Sequence, residues 1–302
     1  MNDAHEATEF FAPGKLILLG EHGVVYGHPA LAAAISRGVR AFASSNKACQ
    51  LELPEGLSKL QRGALERAFA AAAKLTGHPK ISVSVESELP VSMGLGSSGA
   101  LAVAVSRALI AASGGPARSV EKVALAMERE FHGTPSGVDH TTSARGAMVL
   151  FQKGKVTAVK ARRPVKVLVA LVGARASTKA TVAALRERQA RWPRRYARIF
   201  EQIGQLATEG AQAVRAGDLD SLGDLMNLNQ GLLSALQLSS DRIDAMTRRL
   251  REHGALGAKL TGAGGDGGAV IGLFREPEPM IKRLTEEGID CFCSQLAGPI
   301  AL

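Results

Sequence analysis

Cysteine is scarce in this 302-residue chain, which contains only Cys49, Cys291 and Cys293. The last two form a C-x-C pair, and no C-x-x-C pair occurs. An odd number of cysteines at these spacings argues against a disulfide framework, and the missing C-x-x-C argues against a zinc knuckle. The cysteine content is therefore typical of a reduced, intracellular protein.

Long apolar runs are also lacking. A membrane helix needs about 18 uninterrupted apolar residues, whereas the most apolar segment, 100–112, is interrupted by Ser106 and Arg107. The N-terminal sequence, MNDAHEATEFF, carries acidic side chains where a signal peptide carries basic ones. These absences predict a cytoplasmic protein with neither a membrane span nor a secretory leader.

The nucleotide-binding pattern G-x-x-x-x-G-K-[ST] is absent as well, which argues against a P-loop NTPase. Positive charge is abundant instead, because 37 Lys and Arg stand against 28 Asp and Glu and give a net charge of +9. This bias favours an anionic partner, whether nucleic acid, an acidic membrane surface or a phosphorylated substrate. Hydrophobic residues make up 46% of the chain, enough for a core in one large domain or two ordinary ones.

Hydrophobic periodicity predicts a mixed order of helices and strands. We expect strands at 15–19, 39–43, 81–86, 147–151, 155–160 and 165–172, and a helix turn at 29–35. Helices are expected at 61–75, 98–113, 120–131, 180–189, 199–216, 219–235 and 240–253, followed by a turn, a strand, a helix and a strand. This order indicates an α+β protein, and a boundary near Arg163 and Pro164 would divide it into domains 1–163 and 164–302.

A glycine-rich turn, PVSMGLGSSGAL, lies between the strand expected at 81–86 and the helix that follows. Residues 94–99 match the dinucleotide pattern G-x-G-x-x-G, but residues 262–267 match it equally and lead into a strand, so the match is weak. Glycines let the backbone approach a ligand closely, and a helix N-terminus favours an anion. From this turn alone, a phosphate seat and a plain helix start capped by Ser97 or Ser98 are about equally supported.

Three further segments carry residues that are unusual for purely structural roles: 12–27 (APGKLILLGEHGVVYG), 128–140 (EREFHGTPSGVDH) and 259–270 (KLTGAGGDGGAV). In the first, Lys15 opens a buried strand, and a Glu-His pair follows the end of that strand. In the second, Asp139 lies in a loop made rigid by glycine and proline. The ordinary interpretations are a lysine that extends its amine to solvent, a loop or cap aspartate, and a long glycine turn.

On these motifs the chain resembles the GHMP small-molecule kinase superfamily, and within it the mevalonate kinases. The superfamily motifs occur in order as PGKLILLGEHGVVYGHPAL, LPVSMGLGSSGAL leading to HGTPSGVDH, and KLTGAGGDGGAV. GEH-x-VVYG combined with PSGVD is specific, because galactokinases and homoserine kinases differ at one or both. The resemblance runs from Ala12 to the end of the chain. It implies a two-domain fold with a ribosomal-protein-like N-terminal domain, a ferredoxin-like C-terminal domain and the active site between them.

The resemblance also implies residue roles in the transfer of a phosphoryl group from ATP to the 5-hydroxyl of (R)-mevalonate. Asp139 would be the catalytic carboxylate that takes or orients the hydroxyl proton, and Lys15 beside it would keep the carboxylate ionised. ATP would be the co-substrate and Mg²⁺ the cofactor. The other implied residues are Ser87, Gly94, Leu95, Gly96, Ser97 and Ser98 for ATP, Ser98 and Glu128 for Mg²⁺, and Glu21, His22, Thr178, Gly262, Ala263 and Gly264 for the substrate.

Besides Ser92-Met93, which replace a Gly-Ala or similar pair, the chain departs from the mevalonate kinase pattern in two places. An arginine commonly precedes the Ser-Thr pair at 177–178, whereas this chain has Ala176, with Arg175 one residue earlier. The group that binds the substrate carboxylate therefore stays open. In the third motif, Asp266 and Gly268 stand where glycine and cysteine are frequent. Neither departure touches the implied catalytic pair.

Two alternatives remain at this stage. A GHMP kinase could act on phosphomevalonate or another mevalonate-like alcohol, whereas the decarboxylase relative is disfavoured because it lacks the Glu-His pair. Segment 186–198 (RERQARWPRRYAR) interleaves arginines with Trp192 and Tyr196, as RNA-binding segments do. We interpret it instead as a solvated helix with a kink at Pro193 and with its aromatic side chains packed inward. We expect small-molecule partners, neither nucleic acid nor a membrane, with a homodimer as an open option.

Overall fold

The computed structural model describes residues 7–53, 55–173 and 178–296 of the chain, without the side chains of Thr178 and Lys179. The strands in these ranges are β1 Thr8–Leu19, β2 Ala30–Ser45, β3 Gln50–Leu51, β4 Ile81–Ser87, β5 Met148–Gln152, β6 Lys155–Ala158, β7 Lys166–Val172, β8 Gly257–Thr261, β9 Gly268–Phe274 and β10 Cys291–Gln295. The α-helices are α1 Lys59–Leu75, α2 Ser97–Ala112, α3 Val120–His132, α4 Val138–Arg145, α5 Thr178–Arg191, α6 Pro193–Ala216, α7 Leu219–Ala235, α8 Asp241–Glu252 and α9 Glu278–Glu286. None of the helices in the described ranges is long and apolar enough to cross a membrane.

Local sequence signals set the ends of several helices. The Ser58 side chain accepts a hydrogen bond from the Gln61 amide at the start of α1, and Gln61 bonds back to the Ser58 amide, which completes a capping box. Ser240 caps α8 through the Ile243 amide. Pro193 occupies the first turn of α6, where its missing amide N–H costs no helical hydrogen bond.

The first sheet is built around β2, in the order β3-β4-β2-β5-β6 with β1 also paired to β2. The helix turn predicted at 29–35 is wrong, because this alanine-rich stretch is the first part of β2. Ala33 pairs with Leu16 of β1 on one side and with Met148 of β5 on the other, and it is fully buried. Burial between two strands therefore outweighs the helix preference of alanine.

The second sheet has the order β10-β7-β9-β8, and all its pairings are antiparallel. Numbered along the chain, β7, β8, β9 and β10 are strands 1, 2, 3 and 4 of the C-terminal half. Their order across the sheet is therefore 4-1-3-2. With helices between β7 and β8 and between β9 and β10, this is the ferredoxin-like arrangement implied by the resemblance. The α+β class is confirmed. Strand β8 and helix α4 were not predicted.

One apolar cluster joins the two halves of the chain. It contains Leu16 and Val103 from the first half together with Val167 and Ala211 from the second. Polar contacts continue the junction, because the Thr261 hydroxyl accepts from the Ile17 amide at 2.9 Å and donates to the Ile17 carbonyl at 3.1 Å. The end of β8 is thereby fixed against β1. The division into 1–163 and 164–302 stays a prediction.

Candidate active site

The glycine turn 94–98 leads into the N-terminus of α2. Gly96 is the N-cap residue, its φ is 70°, and no side chain caps the helix. Of the two interpretations of this turn, the one in which Ser97 or Ser98 caps the helix is therefore wrong. The first amide groups of α2 keep their capacity to bind an anion, and glycine suits the left-handed φ that the turn requires.

Lys15 and Asp139 meet beside this turn. The Lys15 Nζ lies 3.1 Å from the Asp139 Oδ1 and donates a hydrogen bond to the Gly94 carbonyl at 3.2 Å. Lys15 is buried on β1, whereas the Asp139 side chain is 31% exposed in the first turn of α4. Asp139 was expected in a loop, but Gly137 begins a helix there with a φ of 92°. The contact therefore joins a buried amine to a carboxylate that a ligand can reach.

Gly99 allows α2 and α4 to approach each other at this point. A Cβ on Gly99 would lie 3.0 Å from the Asp139 Cβ and 3.0 Å from the His140 amide nitrogen. Real Cβ atoms rarely tolerate such short contacts, so any side chain at Gly99 would push the start of α4 away. The position of the Asp139 carboxylate is thus set by the packing of the two helices.

The two glycine motifs touch at Gly94 and Gly262. A Cβ on Gly94 would lie 2.6 Å from the Thr261 carbonyl oxygen, and a Cβ on Gly262 would lie 2.6 Å from the Gly94 Cα. Both residues also have positive φ, at 83° and 90°. The turn that contains Ala263 and Gly264 therefore forms a wall directly against the predicted phosphate turn.

A cavity of about 630 Å³ opens next to Asp139. Glu128 and His132 of α3 also line this cavity. The carboxylates of Glu128 and Asp139 therefore share one cavity. The remaining lining residues come from the turn after β1, α3, the loop before α4, and α5. They are Val25, Phe131, Gly133, Thr134, Pro135, Ser136, Gly137, Val182, Ala183 and Arg186. This volume is that of an ordinary small-molecule site.

The two predicted metal ligands each contact a histidine. The Ser98 Oγ lies 2.9 Å from the His132 Nε2. The Glu128 Oε2 lies 2.6 Å from the His140 Nδ1, and both of these side chains are buried. Among the described residues no group of three or more His, Cys, Asp or Glu side chains has the arrangement of a metal centre.

Glu21 is fully buried and forms an ion pair with the equally buried Lys259, which also donates to the Leu260 carbonyl. Burial raises the pKa of Glu21 and lowers the pKa of Lys259, while each charge supports the other. Glu21 does not line the 630 Å³ cavity. The Glu21 Oε2 is buried and has no hydrogen-bond partner within the described ranges.

His22 contacts the wall built by the third motif. Its Nε2 lies 2.9 Å from the Ala263 carbonyl oxygen, and the residue has a φ of 59°, which is uncommon outside glycine. Burial lowers the pKa of His22 to about 4, so the ring is neutral near pH 7 and its Nε2–H donates to the carbonyl. His22 thus connects the end of β1 to the turn after β8.

The remaining predictions concern Ser87, Thr178 and segment 186–198. Ser87 is exposed at the end of β4, where its hydroxyl accepts from the Leu89 amide and donates to the Leu89 carbonyl. The Thr178 side chain, with Arg175 and Ala176, lies outside the described residues. Segment 186–198 spans the break between α5 and α6, and its Arg186 lines the cavity. The predicted inward packing of the aromatic rings holds for Tyr196 but is wrong for Trp192, whose half-exposed ring lies under Arg195.

Three members of this region were not predicted: Lys259, His132 and His140. All three lie within the quoted motifs. Lys259 and His132 contact Glu21 and Ser98 from other segments, whereas His140 contacts Glu128, which belongs to the same motif. All three contacts depend on how the helices and strands pack in the folded chain. The signal available in the sequence was the presence of two extra histidines in EREFHGTPSGVDH.

Family models match both halves of the chain. The GHMP kinases N terminal domain matches residues 61–147, and the GHMP kinases C terminal model matches residues 211–290. The fold and the site thus define a GHMP kinase.

Curated relatives narrow this class. A mevalonate kinase of Aeropyrum pernix is 36% identical over 98% of this chain and 96% of its own length. That of Pyrococcus horikoshii is 34% identical over 92% and 96%. The crystal structure of L. major mevalonate kinase in complex with R-mevalonate superimposes with a TM-score of 0.85 at 26% identity, covering 99% of each chain. The chain belongs to the mevalonate kinase family, as its motifs predict.

Proposed function

We propose that this enzyme transfers the γ-phosphoryl group of ATP to the 5-hydroxyl of (R)-mevalonate and forms 5-phosphomevalonate and ADP. One observation carries the proposal: the Lys15–Asp139 pair, 3.1 Å apart, stands beside a helix N-terminus that leaves its amides for phosphate. Phosphoryl transfer requires mainly alignment of the reactants and neutralisation of oxygen charge. An amine, a carboxylate and a glycine turn in this arrangement supply both.

Asp139 accepts the proton of the attacking hydroxyl. Its Oδ1 faces the Lys15 amine, so Oδ2 is the oxygen left to bind the hydroxyl. The carboxylate is 31% exposed at the cavity, which lets an alcohol reach it without opening the core. Positioned general bases contribute about 10²–10⁴-fold to a rate.

Lys15 holds the phosphate turn and the base in register. Its Nζ already contacts the Gly94 carbonyl and Asp139, so two of its three N–H donors hold protein groups. The third donor remains for an oxygen of the transferring phosphoryl group. Because Lys15 is 3% exposed on β1, its charge acts in a region with little water and is screened weakly.

The residues present fit a Mg²⁺ ion that is bound largely by phosphate. Glu128 supplies a carboxylate at the cavity and Ser98 a hydroxyl at the phosphate turn, and oxygen donors of this kind suit Mg²⁺. Mg²⁺ in nucleotide sites uses one or two carboxylates with substrate phosphates and water. When bound, it would neutralise charge on the β- and γ-phosphates.

The mevalonate pocket would lie between α5 and the wall of the third motif. Gly262, Ala263 and Gly264 form that wall. His22 fixes the wall by its bond to the Ala263 carbonyl. Glu21, which is fully buried on Lys259, acts behind this surface.

A coupled assay of ADP release tests the proposal, with mevalonate, phosphomevalonate, homoserine and galactose offered in parallel. We expect Mg²⁺-dependent turnover with mevalonate, and its loss in Asp139→Asn, which removes the proton acceptor while keeping the side-chain shape. Turnover of phosphomevalonate or another of these substrates with mevalonate inert would refute the assignment.

A further inference from the structure

His140 lies next to the catalytic Asp139 in the chain, yet its side chain is buried against α3. Its Nδ1 lies 2.6 Å from the Glu128 Oε2, and the two side chains are 5% and 2% exposed. We propose that His140 is a positioning residue for the metal-binding carboxylate: it binds one oxygen of Glu128 and leaves the other for Mg²⁺. The inference rests on the proposed function, in which Glu128 binds the ion.

The hydrogen bond divides the work of the two carboxylate oxygens. Oε2 is occupied by His140, whereas no hydrogen bond joins Oε1 to another described residue. Glu128 also lines the cavity that Asp139 reaches. A carboxylate held at one oxygen keeps a fixed plane, and this restricts the metal to a single oxygen of Glu128.

The His140 ring is itself held in place. His140 lies in the first turn of α4, which packs closely against Gly99 of α2. A Cβ on Gly99 would lie 3.0 Å from the His140 amide nitrogen. A Cβ on Gly137 would lie 3.7 Å from the ring Cε1, so the loop before α4 also borders the ring. Because the same helical turn carries Asp139, the catalytic carboxylate and the metal-binding carboxylate are positioned by one structural unit.

A neutral ring is sufficient for this role. The tautomer with hydrogen on Nδ1 donates to the carboxylate and leaves Glu128 its negative charge for the metal. Hydrogen bonds to metal ligands typically change metal affinity by about 10–100-fold when they are removed.

The test compares His140→Leu, His140→Asn and Thr142→Val with the parent protein. Leucine removes the donor, whereas asparagine carries its amide nitrogen on Cγ, as histidine carries Nδ1. Thr142 is a matched control: it is buried on α4 and donates to the Val138 carbonyl at 2.7 Å without contacting Glu128. The measurement is Mn²⁺ binding in the presence of a non-hydrolysable ATP analogue, followed by electron paramagnetic resonance of the free ion.

We expect His140→Leu to weaken Mn²⁺ binding by about 10–100-fold, His140→Asn to recover most of the loss, and Thr142→Val to bind as the parent does. Equal losses in the leucine and asparagine variants would show a packing role and overturn the proposal, as would an unchanged affinity in both. Thermal unfolding is recorded first. If His140→Leu does not fold, His140→Gln replaces it, because its amide nitrogen stands one bond further out; Mn²⁺ binding as tight as that of His140→Asn then refutes the proposal.

The two proposals fail separately in this design. A parent protein that binds Mn²⁺ with the nucleotide analogue but does not phosphorylate mevalonate contradicts the substrate assignment alone, and the variants still decide the role of His140. A parent protein that phosphorylates mevalonate while His140→Leu retains its Mn²⁺ affinity contradicts the positioning role alone.

Discussion

The buried ion pair between Glu21 and Lys259 offers a quantitative test of how the two halves of the protein are joined. Both side chains are fully buried, and the pair links the segment after β1 to β8 of the second sheet. Lys259→Met removes one charge and leaves a carboxylate in the interior whose second oxygen already lacks a partner among the described residues. Because breaking a buried pair on one side leaves an uncompensated charge, we expect a loss of about 3–5 kcal/mol in the free energy of unfolding.

The double variant Glu21→Met/Lys259→Met separates the charge effect from simple loss of contact. Methionine is close in size to both residues, and replacing a buried pair with apolar side chains of similar volume is often neutral or stabilising. We therefore expect the double variant to be more stable than either single variant. Burial raises the pKa of Glu21 and lowers that of Lys259, so each site favours a neutral side chain once its partner is gone.

Urea unfolding monitored by circular dichroism measures these differences from the transition midpoint and slope. Lys282→Met serves as a control, because Lys282 is exposed on α9 and its pair with Glu286 spans 3.9 Å at the surface. That substitution should change stability by less than about 1 kcal/mol. A loss below about 1 kcal/mol in Lys259→Met, or a double variant as unstable as the sum of its singles, would refute the coupling.

Three further predictions concern the site. Asp139→Asn should reduce kcat by about 10²–10⁴-fold with little change in ATP affinity, and Lys15→Met should reduce kcat by a smaller factor. Steady-state kinetics measures both effects. Near-normal turnover in Asp139→Asn would contradict the role assigned to Asp139. The stability that neutral His22 contributes is present above pH 6.5 and is lost as pH falls toward its folded pKa of about 4. The loss amounts to roughly 3 kcal/mol at most. His22→Gln should flatten this part of the pH dependence of urea unfolding, and an unchanged slope would contradict the contribution assigned to His22. Gly262→Ala should raise KM for ATP and lower stability, because its Cβ would lie 2.6 Å from the Gly94 Cα at a φ of 90°; wild-type nucleotide binding in calorimetry would show that the two motifs do not press together.

Segments with strong helical periodicity were predicted well. Helix α7, Leu219–Ala235, has the predicted bounds, and α8 begins after the predicted Ser240. Prediction was wrong at 29–35, where an alanine-rich stretch forms a central strand because neighbours on both sides bury it. The short helix α4 was missed because glycine and proline around it read as a loop.

The site followed a similar division between local and distant information. The motif resemblance named Lys15 and Asp139, and the structure brings them to 3.1 Å. The burial of Glu21 could not be predicted, because Lys259 lies far along the chain and nothing near Glu21 in the sequence indicates a cationic partner. The bond between His140 and Glu128 could not be predicted either, although both residues lie in one motif, because it depends on how α4 packs against α3.

The crossing of Gly94 with Gly262 limits how such enzymes can be recombined. Neither backbone has room for a side chain at the crossing, so the turn proposed to bind the ATP phosphates takes its shape partly from the opposite half of the molecule. Chimeras that join the N-terminal half of one relative to the C-terminal half of another will therefore bring two backbones from different proteins into direct contact at this crossing. Their nucleotide affinity will depend on how well these two backbones fit together, even when every motif residue is retained.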